Sequence, residues 1–411
     1  INMLSNVYKR FSHSKALEQT SGKYEFMFFE HMYRVTYLAG LSSFDTGFKY
    51  LLYAFLVKIL ILLLILSEMW FFFTESTTLD AAIDSINITI IQFISIFKFK
   101  KMNDNKHIFK RLTSSMAIGN FDTSTYKRKK LLQLWVTRTE QYIKLIVGLG
   151  FGTLGVWNVY PFLDDKEYNL AVAVRVPLNY QNKILYPIVY TIIQVMFNYA
   201  AACIMVVDIM VLSHLMHLLC QYTILADCFE NILEDCGFTE EESNRLVADT
   251  RFQEKYIQRL RELVAQHIFI LNNTLDLKQI LSIPMLGQLA TSGVLIASIG
   301  FQVAISVDNI TKFLTSCLFL GYNMCALFII CRWCDDIKFQ SEHISSAAYC
   351  SGWECGVGGV RGVRSRLLLV VARAAKPLVL TAGGMYDLSL VSFTNLVKAS
   401  YTALTVLLRL R

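Results

Sequence analysis

Cys331 and Cys334 form a CxxC pair, and Cys350 and Cys355 follow it, so four thiolates are available to a tetrahedral zinc. The spacing argues against that reading. CRWC closes an apolar run, and the second pair is separated by four residues rather than two, so reduced and buried thiols are expected instead. His214 and His217 share one helix face like half a metal site, but no acidic partner accompanies them, and packing is expected there. Near the end of the chain, Leu404 and Leu408 stand four apart on one face of an apolar stretch that also holds Ser400 and Thr405. A ring of such leucines can close a pore by expelling water; side-chain packing alone is the alternative reading. Lys398 lies in the same stretch, where a bare charge in lipid costs about 2.5 to 3.5 kcal/mol, so it must meet protein or water. A Gly-rich phosphate loop, a nucleophile elbow and paired catalytic carboxylates are all missing from the sequence, so neither an enzyme nor a cofactor is expected.

A second group of residues suits an apolar ligand. Ile86 and Ile90, Phe151, Leu154 and Trp157, Tyr190, Ile193 and Phe197, then Phe313 and Cys317 recur at helical spacing on four separate apolar runs. Together they could wall an enclosed pocket with few polar anchors, although each alone fits ordinary helix packing.

These residues must be positioned by a membrane. Of 411 residues, 54% are hydrophobic and 17% charged, against about 25% charged in soluble domains. Windows of about 19 residues place spans at 51–73, 81–99, 134–159, 186–215, 280–307, 313–331 and 385–408. The fold class is therefore all-α with seven transmembrane helices in one domain. Segments 216–279 and 332–384 are expected to be cytoplasmic and to act as an anchor. Asp308 and Asn309 give so short a connection that the fifth and sixth spans must be antiparallel.

Basic residues set the direction. Lys98, Lys100, Lys101, Lys106, Lys110, Arg111 and Lys127 to Lys130 follow the second span, which puts that loop in the cytosol. Alternation then predicts a cytosolic N-terminus and an extracellular C-terminus. The net charge of +7 is spent on orientation, so nucleic acid is not an expected partner. All ten cysteines fall in spans or cytosolic segments, so an extracellular disulfide is not expected. The sequons at Asn87, Asn272 and Asn309 hug the membrane or lie in the cytosol, and Glu240, Glu241 and Glu242 read as a solvated helix start.

The stretch KPLVLTAGGMYDLSLVSFTNLVKASYTALTVLL, from Lys376 to Leu408, resembles the closing signature of insect odorant receptors. SEHISSAAYCSGW from Ser341 and YIQRLRELVAQHIFILNNTLDL from Tyr256 are also similar to that family. The glycine-rich CGVGGVRGVRSR at 355–366 departs from a helix-forming pattern, which moves the expected start of the family's packing helix towards Arg364. The connection from about Gln221 to Gln279 lacks the long insertion of the family's co-receptor, so the resemblance implies an odour-tuning subunit. It further implies a plasma-membrane protein of sensory dendrites that assembles with the co-receptor into a tetrameric cation channel. The last span would line the pore, Leu404 and Leu408 would fall at the gate, and a small volatile hydrophobic ligand would open it.

Three other readings are weaker. A gustatory receptor would end in a TYxxxxxQF element, where SYTALTVLL stands instead. A G-protein-coupled receptor would have an external N-terminus with DRY and NPxxY triplets, and a transporter would show internal repeats.

Overall fold

The computed structural model describes residues 12, 14–20, 24–75, 79–115, 121–163, 168–177, 179–237, 249–306, 309–354 and 356–409. Asp308, Cys355 and the Glu240 to Glu242 run lie outside the described residues. Two short helices, α1 (Lys15–Thr20) and α2 (Tyr24–Leu38), precede α3 (Phe48–Thr74) and α4 (Leu79–Asp104). Then come α5 (Lys106–Thr113), α6 (Tyr126–Leu163), α7 (Leu185–Glu230), α8 (Ile232–Asp235), α9 (Thr250–Ile305) and α10 (Ile310–Tyr349). A 3-10 turn at Val357–Gly359 leads to α11 (Val363–Ala374), a two-stranded ribbon, and α12 (Leu390–Arg409).

Six of these helices, α3, α6, α7, α9, α10 and α12, are long and apolar enough to cross a membrane. On α3 the residues Leu51, Leu52, Phe55, Leu56, Leu62, Leu63 and Leu66 all face outwards. Water would penalise so large an apolar surface, whereas acyl chains are its natural solvent. The chain is a multi-pass membrane protein. The remaining expected span, α4, has 26 residues but is more polar, and protein covers its polar positions: Asn87, Gln92, Ser95 and Lys98 are buried, whereas Phe93 and Ile96 face outwards.

Helix length separates two ends of the bundle. At 1.5 Å per residue, α7, α9 and α10, with 46, 56 and 40 residues, run about 60 to 84 Å, two to three times a hydrocarbon core. Hydropathy marks only the lipid-crossing part of such a helix, so the fourth, fifth and sixth expected spans are each one stretch of a much longer rod. The second half of α7, from Met205 to Phe229, is almost wholly buried and forms the central post. Two capping side chains start the neighbouring rods: Asp249 accepts from the Arg251 amide (2.9 Å) and Asn309 from the Lys312 amide (3.0 Å).

At the long-helix end, Arg128 joins three elements. Its Nε donates to Asp227 (2.9 Å), Nη1 to Asp122 (2.8 Å) and Nη2 to Asp235 (2.9 Å). Arg259 of α9 closes the network on Asp122 and Asp235, and Lys127 reaches Asp227 from outside (2.6 Å). Burial opposes ionisation of Asp122, but the Ser124 amide and hydroxyl and both guanidiniums outweigh it and hold the carboxyl below its usual range.

The TAGG segment explains where the last helix begins. Thr381–Ala382 pairs antiparallel with Tyr386–Asp387 across Gly383 and Gly384, at φ +61° and +73°. Gly383 donates to the Ser282 carbonyl (2.8 Å), and a Cβ there would meet Leu286 at 2.6 Å, so glycine is needed for both conformation and approach. Residues 386–387 are the second strand of this ribbon, and α12 therefore starts at Leu390 rather than at Met385. Similarly, Gly356 and Gly362 at positive φ delay α11 to Val363, one residue before Arg364.

Candidate functional site

A cavity of about 60 Å³ lies between α4, α6, α7 and α10. Each helix presents a short stripe at i, i+3 or i+4 spacing: Ile88, Ile91 and Gln92; Gly150, Thr153, Leu154 and Trp157; Phe197, Ala201, Ile204 and Met205; Phe319 and Tyr322. Trp157 is the centrepiece. Its ring meets Phe197 edge-on at 5.3 Å and Phe319 at 5.1 Å, geometries that favour aromatic attraction. Its Nε1 donates to the Ala171 carbonyl (2.8 Å), which ties the cavity to the loop that covers it. Met205 crosses the floor because Gly150 lacks a side chain; a Cβ there would overlap its sulfur.

Ile88, Trp157 and Phe319 also border a wider chamber of about 300 Å³, roofed by residues 168–174 and lined by Asn87, Gln302, Lys312, Thr315 and Ser316. The roof is fastened to α3. Ser67 donates to the Arg175 carbonyl (2.7 Å), and the Arg175 guanidinium sits 5.0 Å over Trp70 and 3.2 Å from Glu75.

Of the residues expected at a ligand site, Leu154, Trp157 and Phe197 line the smaller cavity. Ile193 is buried in a separate groove between α3 and α7. Tyr190 donates to the Asn158 carbonyl (3.0 Å) at the cavity's edge. Ile86, Ile90 and Cys317 are half-buried away from it, and Phe151 and Phe313 are exposed on the outer surface. Sequence reasoning missed Ile88, Gln92, Gly150, Met205, Phe319 and Tyr322. The stripes they form were open to inspection, but hydropathy does not reveal which side of an apolar helix faces inwards.

The zinc reading meets a geometric obstacle: Cys331 lies within α10 and Cys350 caps its C-terminus nineteen positions on, about 28 Å along the rod. His214 and His217 pack among Phe28, Phe29 and Phe109, with His214 Nδ1 2.7 Å from the Met210 carbonyl.

The terminal helix α12 uses one side only. Leu396 and Leu404 lie over Gly293 and Gly300 of α9, and the buried Ser400 hydroxyl donates to the Gly293 carbonyl (3.0 Å). Phe393 meets Phe328 of α10 edge-on at 5.6 Å. The opposite side carries Thr394, Lys398, Tyr401 and Leu408, all exposed, with Thr405 half-buried between them. The four residues expected at a gate are therefore divided: Ser400 and Leu404 face α9, whereas Thr405 and Leu408 lie on the open side.

Comparison with known proteins agrees with this architecture. A profile described as "7tm Odorant receptor" matches residues 78–401. Odorant receptor 67a of Drosophila melanogaster is 28% identical over 145 residues, 35% of this chain and 35% of that protein. Odorant receptor 82a of the same species is 24% identical over 260 residues, 62% of this chain and 60% of that one, so the chain matches less than two thirds of either relative's length. The insect olfactory receptor OR5 from Machilis hrabei shares the fold at 14% identity, with a TM-score of 0.78 over 93% of this chain and 98% of that one. Its complex with eugenol gives 0.75 over 94% and 100%. With the profile spanning most of the helices described above, this chain belongs to the insect seven-transmembrane odorant receptor family.

Proposed function

We propose that the chain is an odour-tuning subunit of a ligand-gated cation channel, and that it assembles with co-receptor subunits into a tetramer in the plasma membrane of sensory dendrites. In this arrangement the N-terminus and the long-helix end are cytosolic, and the C-terminus is extracellular. The excess of lysine and arginine after α4 supports that direction.

The observation that carries the reading is α10. Its Phe319 and Tyr322 line the cavity, and its Phe328, about two turns further along, packs on Phe393 of α12. One rigid rod thus touches both the ligand site and the terminal helix. A volatile apolar ligand between Trp157, Phe197 and Phe319 opens the channel by favouring the α10 position in which α12 moves off the axis. Tight binding is unnecessary, because only the difference in affinity between the two arrangements shifts their populations.

The open side of α12 then faces the shared axis. Thr394, Tyr401 and Thr405 offer hydroxyls to a hydrated cation, and Leu408 narrows the extracellular end where an apolar ring can dewet. Leu404 seats the helix on α9 beside that ring. Coexpression with a co-receptor tests the assignment: odour-evoked cation current is expected from the pair and none from this chain alone. A cross-link between α10 and α12 that leaves evoked current intact would refute the coupling.

A further inference from the structure

The polar atoms around the smaller cavity fall into two groups. Each hydroxyl or indole donor of its lining is engaged: Trp157 Nε1 with the Ala171 carbonyl, Thr153 Oγ1 with the Leu149 carbonyl (2.8 Å), and Tyr322 with Asp208 (3.4 Å). Among the described residues, one side-chain polar atom of the lining has no partner at all, Gln92 Oε1. Gln92 is 3% exposed, so bulk water does not satisfy it. A buried acceptor left open in an apolar site is a recognition element, since a ligand that donates to it recovers the lost hydrogen bond.

The direction of the Gln92 amide is fixed from behind. Its Nε2 donates to Glu68 Oε1 (3.1 Å), and Glu68 is itself 1% exposed in α3. The other carboxyl oxygen lies 3.1 Å from Thr89 Oγ1, which in turn is 2.9 Å from the Ser85 carbonyl. An ionised Glu68 accepts from both neighbours. A Glu68 protonated on the oxygen beside Thr89 donates its O–H there, the Thr89 proton goes to the Ser85 carbonyl, and Oε1 still accepts from Gln92. In both of these arrangements the nitrogen end of Gln92 points to Glu68, as it does in the structure, and the oxygen end is left over.

We propose that this cavity selects compact apolar alcohols and phenols, whose hydroxyl donates to Gln92 Oε1 while the hydrocarbon part lies against Trp157, Phe197 and Phe319. Glu68 is the positioning residue that keeps an acceptor, and not a donor, available. Aldehydes, ketones and esters bring only acceptors to a site whose hydroxyl and indole donors are engaged. The cavity's own 60 Å³ favours small molecules, and larger tails extend past Ile88 into the chamber above. This inference rests on the receptor reading given above and adds the ligand class to it.

Size-matched triplets separate the hydrogen bond from shape: hexan-1-ol, hexanal and heptane, then benzyl alcohol, benzaldehyde and ethylbenzene. Currents are recorded from the full chain coexpressed with co-receptor, with surface expression checked. The alcohol is expected to be about tenfold more potent than its aldehyde, the worth of one buried neutral hydrogen bond. In Gln92→Leu that ratio falls towards one. Glu68→Gln is the second variant: an amide at 68 can donate to Gln92 Oε1, which turns the Gln92 nitrogen outwards and shifts preference towards the aldehyde. Equal potencies across the triplets, or an unchanged ratio in both variants, overturn the ligand class and leave the receptor reading standing. A surface-expressed complex silent to every volatile of a broad panel overturns both.

Discussion

Lys127 and Arg128 are adjacent, equally charged and both paired with Asp227, yet the structure predicts very different costs for losing them. Lys127 is 61% exposed on its side chain and holds one carboxylate in the presence of water, so Lys127→Met should cost at most about 1 kcal/mol. Arg128 is 1% exposed and donates to Asp122, Asp227 and Asp235. Three charge-assisted bonds at about 1.5 to 3 kcal/mol each would suggest a larger figure, but Arg259 continues to neutralise Asp122 and Asp235, and Lys127 Asp227. What remains is the penalty of a partly uncompensated buried charge, about 3 to 5 kcal/mol for Arg128→Met. At about 2.1 cal/mol/K per residue, a chain of this size should lose about 1 °C of Tm per kcal/mol if it unfolds as a unit. Thermal unfolding of purified protein should therefore show a drop of about 3 to 5 °C for Arg128→Met and no more than about 1 °C for Lys127→Met. Equal drops, or a larger one at Lys127, would refute the argument that burial decides the value of these pairs. Arg128→Met combined with Asp235→Asn should recover part of the loss, since one stranded charge is removed with its partner.

Acid should weaken the long-helix end. Burial pushes His267 down to about 4, with Arg373 adding to the effect, and burial with His214 pushes His217 down to about 3. Both stay neutral in the folded state below 6.5, where the unfolded chain takes up protons, so stability is intact above that pH and falls as pH drops from 6.5 towards 4, by up to about 1.4 kcal/mol per pH unit for each. Hydrogen-exchange protection in α7 and α9, corrected for the intrinsic pH dependence of amide exchange, should fall across that window and stay flat above pH 7. Gly383→Ala should lower Tm, because it forces φ +61° on alanine and drives a Cβ into Leu286, whereas Gly359→Ala, in open space, should leave it unchanged. Gly300→Val should wedge Leu404 and α12 away from α9 and raise odour-independent current; unchanged basal and evoked currents would detach that contact from gating.

Lipid writes its demands into the sequence as long apolar runs, so the six strongly apolar helices among the described residues could be read directly, whereas α4 is too polar to meet the same standard. The helix ends could not, because α9 is already helical before its hydropathy rises and α10 stays helical after its hydropathy falls, held there by packing on α7 and not by the bilayer. Helix phase was the second gap. Trp157, Leu154 and Phe197 stood out by type, but the wall is built by Phe319, two positions past the expected Cys317 and six past Phe313, and only the rotation of α10 about its axis distinguishes them. The same holds for α12, where Leu404 and Leu408 share a broad face in projection, yet the glycines of α9 take the first and leave the second outside. The Arg128 network joins residues far apart in the chain, and no local pattern announces such a meeting. The TAGG motif was visible as a signature; its physical reason appeared only with the positive φ angles and the approach to α9.

On the proposed function, the side of α12 turned away from its own subunit lines the path of the ions. Single cysteines at Thr405, Leu408, Leu396 and Leu404 in the coexpressed complex, exposed to a cationic thiol reagent during odour application, test it directly. Rapid odour-dependent loss of current is expected at 405 and 408, with slow or no modification at 396 and 404. Fast block through 396 or 404 with 405 and 408 silent would contradict it.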